Sequence, residues 1–220
     1  MKKRIGQLLW RFNIFIASFD QGFPREIRMD KKTIISNGLV ALTGSPEKLP
    51  MFSEFSEIFE GPIYVEAGNK LWSVGNDEGY LWFVQKGYGF DRILLEDGTK
   101  ILNGMTEPGM FICDEKSLLM GGNLVSDSIL YTEAVVYRAR YSAYRQFMRD
   151  QEHFRALLIS ISAHFLQLRK LRLLKMKHMN KADYWSATRN RFPGIEKFCS
   201  QTEIAKYFGV SKSTMHRLMK

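Results

Sequence analysis

Apolar and polar positions along the chain follow three successive rhythms. Residues 1–60 show helical periodicity in patches, punctuated by Pro24, Pro46 and Pro50 and by several glycines, and 53–59 (SEFSEIF) reads as a short amphipathic helical turn. From Gly61 the rhythm shortens. The segments 63–66 (IYVE), 80–84 (YLWFV), 92–95 (RILL), 100–102 (KIL) and 134–137 (AVVY) are brief and rich in β-branched and aromatic residues. Between them lie 67–69 (AGN), 86–87 (KG), 96–98 (EDG) and 108–109 (PG). Short strands with regular glycine punctuation predict an antiparallel sandwich or barrel. The pair Asp97-Gly98 suits a tight hairpin turn with φ > 0 at both central residues.

After Arg140 the pattern is helical to the end. Phe154, Leu158, Ile161, Phe165 and Leu168 follow a 4-3-4-3 spacing, the seam of a two-helix coiled coil, and Leu157, Leu171 and Leu174 widen the stripe. One reading is a helix that covers the chain's own barrel. A stripe this wide also serves a partner helix on its other side, which predicts a homodimer. Basic residues then crowd in at Arg169, Lys170, Arg172, Lys175, Lys177, His178 and Lys181.

The last twenty residues read QTEIAKYFGVSKSTMHRLMK. A helix-turn-helix needs a small residue at the fifth place, where its helices cross, and Gly at the ninth, where the turn visits positive φ. It also needs apolar residues at the fourth, eighth, tenth, fifteenth and eighteenth. Counted from Gln201, these are Ala205, Gly209, and Ile204, Phe208, Val210, Met215 and Leu218. Ser200 with Glu203 forms a candidate capping box, and Ser211 a second cap. With Met215 and Leu218 buried, the second helix turns Lys212, Ser213, His216 and Arg217 outward. An arginine there forks onto guanine, a lysine contacts guanine or phosphate, and Gln201 and Ser200 are placed to hold backbone phosphates.

Charge reinforces this picture. Of the net +9, residues 1–140 contribute almost nothing (16 Lys/Arg against 18 Asp/Glu), whereas residues 141–220 hold 16 against 5. A polyanion partner is thereby expected at the C-terminal part. The 45% apolar and 25% charged fractions are those of a globular chain able to bury a core. Two cysteines, Cys113 and Cys199, build no disulfide framework and fit a reducing, cytoplasmic setting. The start, Met1-Lys2-Lys3-Arg4, superficially resembles a signal peptide, but Arg11 and Asn13 interrupt the apolar stretch and the uncharged run 12–19 is too short to span a bilayer. Residues 4–19 read as an amphipathic helix packed on the body, with a membrane-surface role as the alternative.

The expected class is α+β: an extension (1–50), an antiparallel β-roll (51–145), a long dimerisation helix (146–178) and a helix-turn-helix domain (179–220). In that order the elements resemble the cyclic-AMP receptor protein and fumarate-nitrate regulator superfamily over about residues 50–220. The resemblance rests on IYVEAG (63–68), LWFVQKG (81–87), ILLEDGTKIL (93–102), MTEPGMFI (105–112) and EIAKYFGVSKSTMHRL (203–218). It implies a homodimer on a two-fold symmetric operator in double-stranded DNA, with RNA polymerase as a further partner. It places Lys212, Ser213 and Arg217 where the family reads bases. Ser213 replaces an acidic residue often found there, so a different preferred sequence is expected.

The sensory pocket departs from the family. In nucleotide-binding relatives a Gly-Glu pair follows the Phe-Ile strand end, and an Arg-Ser pair some ten residues later neutralises the phosphate. Here Cys113-Asp114 follow Phe111-Ile112, and 123–128 (NLVSDS) has no cation. A buried phosphate without one is costly, so cyclic AMP is not expected, the alternative being that Lys116 or a residue of another strand supplies the charge. An iron–sulfur cluster is not expected either, because residues 1–112 contain no cysteine. Cys113 near the presumed pocket and His164 on the long helix leave haem or redox sensing as the alternative, against the plainer reading of packed side chains. Metal chemistry of the cupin type needs histidines on the barrel, yet His153, His164, His178 and His216 all lie beyond it. No catalytic constellation is visible, and an enzyme is not expected. A protein-interaction module with a vestigial helix-turn-helix is the remaining competitor.

Overall fold

The computed structural model describes residues 30–150 and 154–220, the side chains at 155–158, 160, 161, 164, 165 and 168 excepted. The helix expected over residues 4–19, with its membrane-surface alternative, lies outside the described residues.

Helix α1 (Lys31–Thr43) begins at Asp30, whose carboxylate accepts from the Thr33 amide and hydroxyl, and stops at Gly44 in the left-handed region. A short helix α2 (Leu49–Phe55) straddles the boundary expected at residue 50. Both pack on the roll: Ile35, Leu39, Phe52 and Phe55 are fully buried in one core with Phe83 and Phe111. Gly38 is what lets α1 come so close, since a Cβ there would lie 2.4 Å from the Phe83 ring.

The roll has eight strands: β1 (Glu60–Val65), β2 (Lys70–Trp72), β3 (Tyr80–Lys86), β4 (Gly89–Leu94), β5 (Lys100–Thr106), β6 (Phe111–Ile112), β7 (Ser126–Leu130) and β8 (Ala134–Arg140). They form two four-stranded sheets, β1-β8-β3-β6 and β2-β7-β4-β5, with every pairing antiparallel. Strand β7 alternates between buried and half-buried positions, as a one-sided strand should, whereas Leu81 to Val84 of β3 are all buried. That unbroken run is explained by α1, which covers the outer face where Phe83 points.

The Asp97-Gly98 hairpin joins β4 to β5, but not by the turn expected. Only Gly98 has positive φ (79°), and the Leu95 amide bonds to the Thr99 carbonyl. This is a three-residue loop closed by a left-handed glycine, and Asp97 is held in ordinary backbone geometry by accepting from the Thr99 amide at 2.8 Å.

Beyond the roll come α4 (Tyr141–Asp150), α5 (Arg155–His178), α6 (Lys181–Arg191), α7 (Gln201–Phe208) and α8 (Lys212–Met219), with α3 (Glu115–Met120) lying between β6 and β7. Helix α5 runs 24 residues from Arg155 to His178, and residues 146–150 of the long helix expected over 146–178 belong instead to α4. The sequence rhythm did not foreshadow a second core. Tyr184, Trp185, Ile204, Phe208 and Met215 of the last helices bury against Phe90, Leu102, Met105 and Tyr131 of the roll.

Candidate nucleic-acid interface

The α7–α8 pair is assembled by local chemistry. Ser200 Oγ accepts from the Glu203 amide at 3.2 Å while Glu203 Oε2 accepts from the Ser200 amide at 2.9 Å, a complete capping box. Gly209 ends α7 at φ 64°, and the Val210 amide returns to the Ala205 carbonyl. Two residues on, Ser211 caps α8 by accepting from the Thr214 amide at 3.1 Å. Ile204, Phe208 and Met215 are fully buried, Ala205 sits at their crossing, and Val210 and Leu218 are half-buried. The Phe208 ring lies 4.6 Å from Tyr184 and meets Trp185 edge-on, which seats the pair on α6.

Burying Met215 leaves Lys212, Ser213, His216 and Arg217 exposed on one side of α8. Ser213 is not idle there: its hydroxyl lies 2.9 Å from that of Ser211. Ser200 is exposed, with its oxygen engaged in the cap. Gln201 is half-buried and its amide donates toward Met219 Sδ at 3.9 Å, so it leans back on the end of α8.

Along α5 the structure redistributes the expected seam. Phe154, expected at a partner interface, is fully buried in its own chain, 4.4 Å from Phe147 and 6.3 Å from Phe55 between ring centroids. The aromatic pocket between α2 and α4 claims it, so it is corrected to a core residue. The side chains of Leu158, Ile161, Phe165, Leu168 and His164 lie outside the described residues. Of those described, Ile159 (69% exposed), Leu166 (66%) and Leu173 (63%) fall at heptad spacing, with Ala163 also exposed.

Asp114, beside Cys113 at the end of β6, gathers a network of its own inside the roll. Asp114 is buried, and its carboxylate collects four donors: the Ser117 amide (3.2 Å), the Val125 amide (2.8 Å), the Ser126 amide (3.2 Å) and the Ser126 hydroxyl (3.0 Å). The same hydroxyl accepts from Trp72 Nε1 at 3.1 Å, so it has no choice but to donate to Asp114. Tyr141 closes the ring, its hydroxyl accepting from the Asp114 amide and donating to the Asp114 carbonyl. The stretch around 123–128 that lacks a cation thus spends its backbone donors on the chain's own anion. Nothing in the sequence rhythm marks Asp114 for this; only its position after a strand end hinted at a site.

Nearby, the Asp91 carboxyl is pushed up to about 6, chiefly by burial and further by the neighbouring Glu115 and Asp114, against the opposing effects of Ser128 and Arg169. Arg169 pairs with Glu115 at 2.7 Å. Burial, then the carboxylates of Glu115, Asp91 and Asp114, raise the Cys113 thiol well above its ordinary value, which disfavours the thiolate that ligation or oxidation would use. Burial pushes Cys199 up to about 12. Among the described residues no group of three His, Cys, Asp or Glu side chains is arranged to hold a metal ion, and no helix is long and apolar enough to cross a membrane. A small cleft beside Tyr141, bounded by Gly79, Gly121 and Arg145, measures about 70 Å³.

No protein-family model matches this sequence, and no curated protein is significantly similar to it in sequence. Solved structures do match. The chain is similar to the c-di-GMP-responsive global regulator CLP of Xanthomonas campestris (15% identity, TM-score 0.50, 71% of this chain and 83% of that one). It is also similar to FixK2 of Bradyrhizobium japonicum (15% identity, TM-score 0.54, covering 71% and 81%). A regulatory protein of Silicibacter pomeroyi DSS-3 aligns over 86% of this chain and 85% of its own, at 13% identity and TM-score 0.55. At such identities the likeness establishes the fold: the chain carries the cyclic-nucleotide-binding type of β-roll.

Proposed function

We propose that the protein is a sequence-specific DNA-binding transcription regulator that acts as a homodimer in the cytoplasm, beside RNA polymerase. In this reading residues 51–145 are the sensory-type roll, α5 is the dimerisation helix, and α7–α8 are the helix-turn-helix. The observation that carries it is the face of α8: Lys212, Ser213, His216 and Arg217 are exposed together while every apolar residue of the helix turns inward. The N-terminal turn of α8 enters a major groove, where Arg217 forks onto a guanine, Lys212 meets base or phosphate, and Ser213 tolerates several bases. Ser200 approaches a phosphate from the start of α7, its hydroxyl able to donate while its oxygen accepts in the cap, whereas Gln201 leans back on α8. The regulator fold of the structural neighbours supports the same reading, as does the excess of cations after residue 140.

The dimer forms along α5 through Ile159, Ala163, Leu166 and Leu173, together with the expected seam residues from Leu158 onward. The sensory pocket is altered: Asp114 already holds the donors at 125–126, and the stretch 123–128 brings no cation for a phosphate. The raised Cys113 thiol disfavours the haem- or redox-responsive alternative.

Selection from a randomised duplex pool, followed by salt titration, tests the proposal. The wild type is expected to enrich a two-fold symmetric sequence and to lose affinity linearly in log affinity against log salt. The double variant Lys212→Glu/Arg217→Glu is expected to bind all duplexes alike, since each base contact is worth about 1–3 kcal/mol of discrimination. If wild type binds random duplexes as it binds the selected sequence, and the double variant behaves like wild type, the interaction-module reading replaces this one.

A further inference from the structure

Three arginines stitch the proposed DNA-reading unit to the roll. Arg191, the last residue of α6, forks onto the Glu107 carboxylate just beyond β5, with Nε 2.6 Å from Oε2 and a terminal nitrogen on Oε1. Glu107 is only 2% exposed, so this carboxylate depends on its partner. On β4, Arg92 Nε lies 2.6 Å from Glu203 Oε1, and its terminal nitrogen donates to the Phe198 carbonyl at 3.2 Å. Arg172 of α5 donates to the Asn103 carbonyl of β5 and lays its guanidinium 3.8 Å over the Tyr207 ring of α7. Stacking of Tyr131 on Phe198 at 5.1 Å fills the space between.

All these contacts fall on the side of α6–α7 that faces β4 and β5. The recognition residues Lys212, Ser213, His216 and Arg217 stay exposed, so the contact does not act as a shutter over them. What it does constrain is orientation. The chain passes from α5 to α6 through Met179 and Asn180 alone, so the orientation of the C-terminal unit is set by what it rests on, the shared core with the roll and these polar contacts around it.

We propose that Arg92, Glu107, Arg172 and Arg191 are positioning residues that lock the α7–α8 pair in one orientation on the roll, and that this lock sets the half-site spacing the dimer accepts. The inference rests on the DNA-binding reading above. A two-fold dimer reaches successive major grooves about 34–36 Å apart, and a rigid mount confines its recognition helices to one such separation. A loosened mount samples many separations, which lowers the effective concentration of the second helix at the best spacing and raises it at others.

The test uses the full chain and the half-site recovered from the randomised duplex pool, presented singly and as inverted pairs at a series of spacings around about 10 base pairs. The double variant Glu107→Gln/Glu203→Gln preserves side-chain shape and the capping box, which glutamine also completes, while removing both acceptor charges. Its affinity for the single half-site is expected to match wild type. Its preference for the best spacing over neighbouring ones is expected to fall about tenfold. An unchanged spacing profile in a folded variant overturns the proposal. Arg92→Ala, which leaves the capping box intact, supplies the same comparison should the double variant unfold at the assay temperature. If wild type selects no half-site at all, the DNA-binding reading itself has failed. If it selects one but accepts every spacing equally, only the positioning role is lost.

Discussion

Replacing Asp114 by Asn alters little in volume and much in charge. The carboxylate accepts three donors at Oδ2, from the Val125 amide, the Ser126 amide and the Ser126 hydroxyl, while Oδ1 caps α3 through the Ser117 amide. An asparagine keeps one oxygen. Whichever way its amide is turned, an NH₂ group confronts donors. Facing Oδ2's partners, it strands three of them in a region where Ser126 and Asp114 are both buried. Hydrogen bonds to a charged acceptor are worth about 1.5–3 kcal/mol each, but losses within one network are not additive, so this orientation costs about 4 kcal/mol. Flipping the amide instead forfeits the helix cap, about 1 kcal/mol, and puts a weaker, uncharged acceptor at the three-donor site. The amide takes the cheaper of these two orientations, so about 2–4 kcal/mol is expected, which for a chain of this size lowers the melting temperature by about 5–12 °C, readable by calorimetry or circular dichroism. Asp114→Ala should be comparably unstable, yet partly restored by formate or phosphate that reaches the vacated donors. A melting temperature for Asp114→Asn within about 2 °C of wild type refutes the account, because one kcal/mol already moves it that far.

Three further outcomes follow from packing and titration. The folded Asp91 carboxyl keeps its proton up to about 6, whereas the unfolded chain releases it near 3.8. The folded state therefore binds more protons in that window, and wild-type stability should fall relative to Asp91→Asn as pH rises from 4 through 6, then run parallel above; parallel curves throughout, from urea unfolding, dismiss the assignment. In α1, Gly38→Ala should destabilise by about 1–3 kcal/mol despite alanine's better helix propensity, because its methyl would collide with the fully buried Phe83 ring; a rise in melting temperature contradicts the packing. Leu166→Glu, at a position 66% exposed in the protomer, should leave the melting of the single chain unchanged but halve the mass seen by sedimentation; an intact dimer removes α5 from the interface.

The capping serines, the left-handed Gly209 and the apolar positions of the last twenty residues were legible in the chain because each requirement is local: a cap needs a hydroxyl three residues from its amide, a turn needs a glycine at positive φ, and a helix crossing needs an alanine. Five of the eight strands were legible in the same way, since alternation and glycine punctuation act over a few residues, whereas β2, β6 and β7 were not picked out. Phe154 and Asp114 were not. A 4-3-4-3 stripe describes any helix with an apolar side, and whether Phe154 met a partner or its own α2 and α4 depended on where residues a hundred positions earlier had folded. Likewise Asp97 and Gly98 pointed to a turn but left its length to the register between β4 and β5.

What the sequence determined by itself is the helix-turn-helix pattern and five of the strands, the concentration of positive charge after residue 140, and the identity of the side chains that α8 turns outward. Only the tertiary structure decided that Asp114 serves as the roll's internal anion, and that Arg92, Arg172 and Arg191 tie the last helices to β4, β5 and the residue after them. The physical reason is range. Periodicity and capping are read within one or two turns of chain, whereas a buried carboxylate finds its donors, and an arginine its carboxylate, only after distant segments have been brought within about 3 Å.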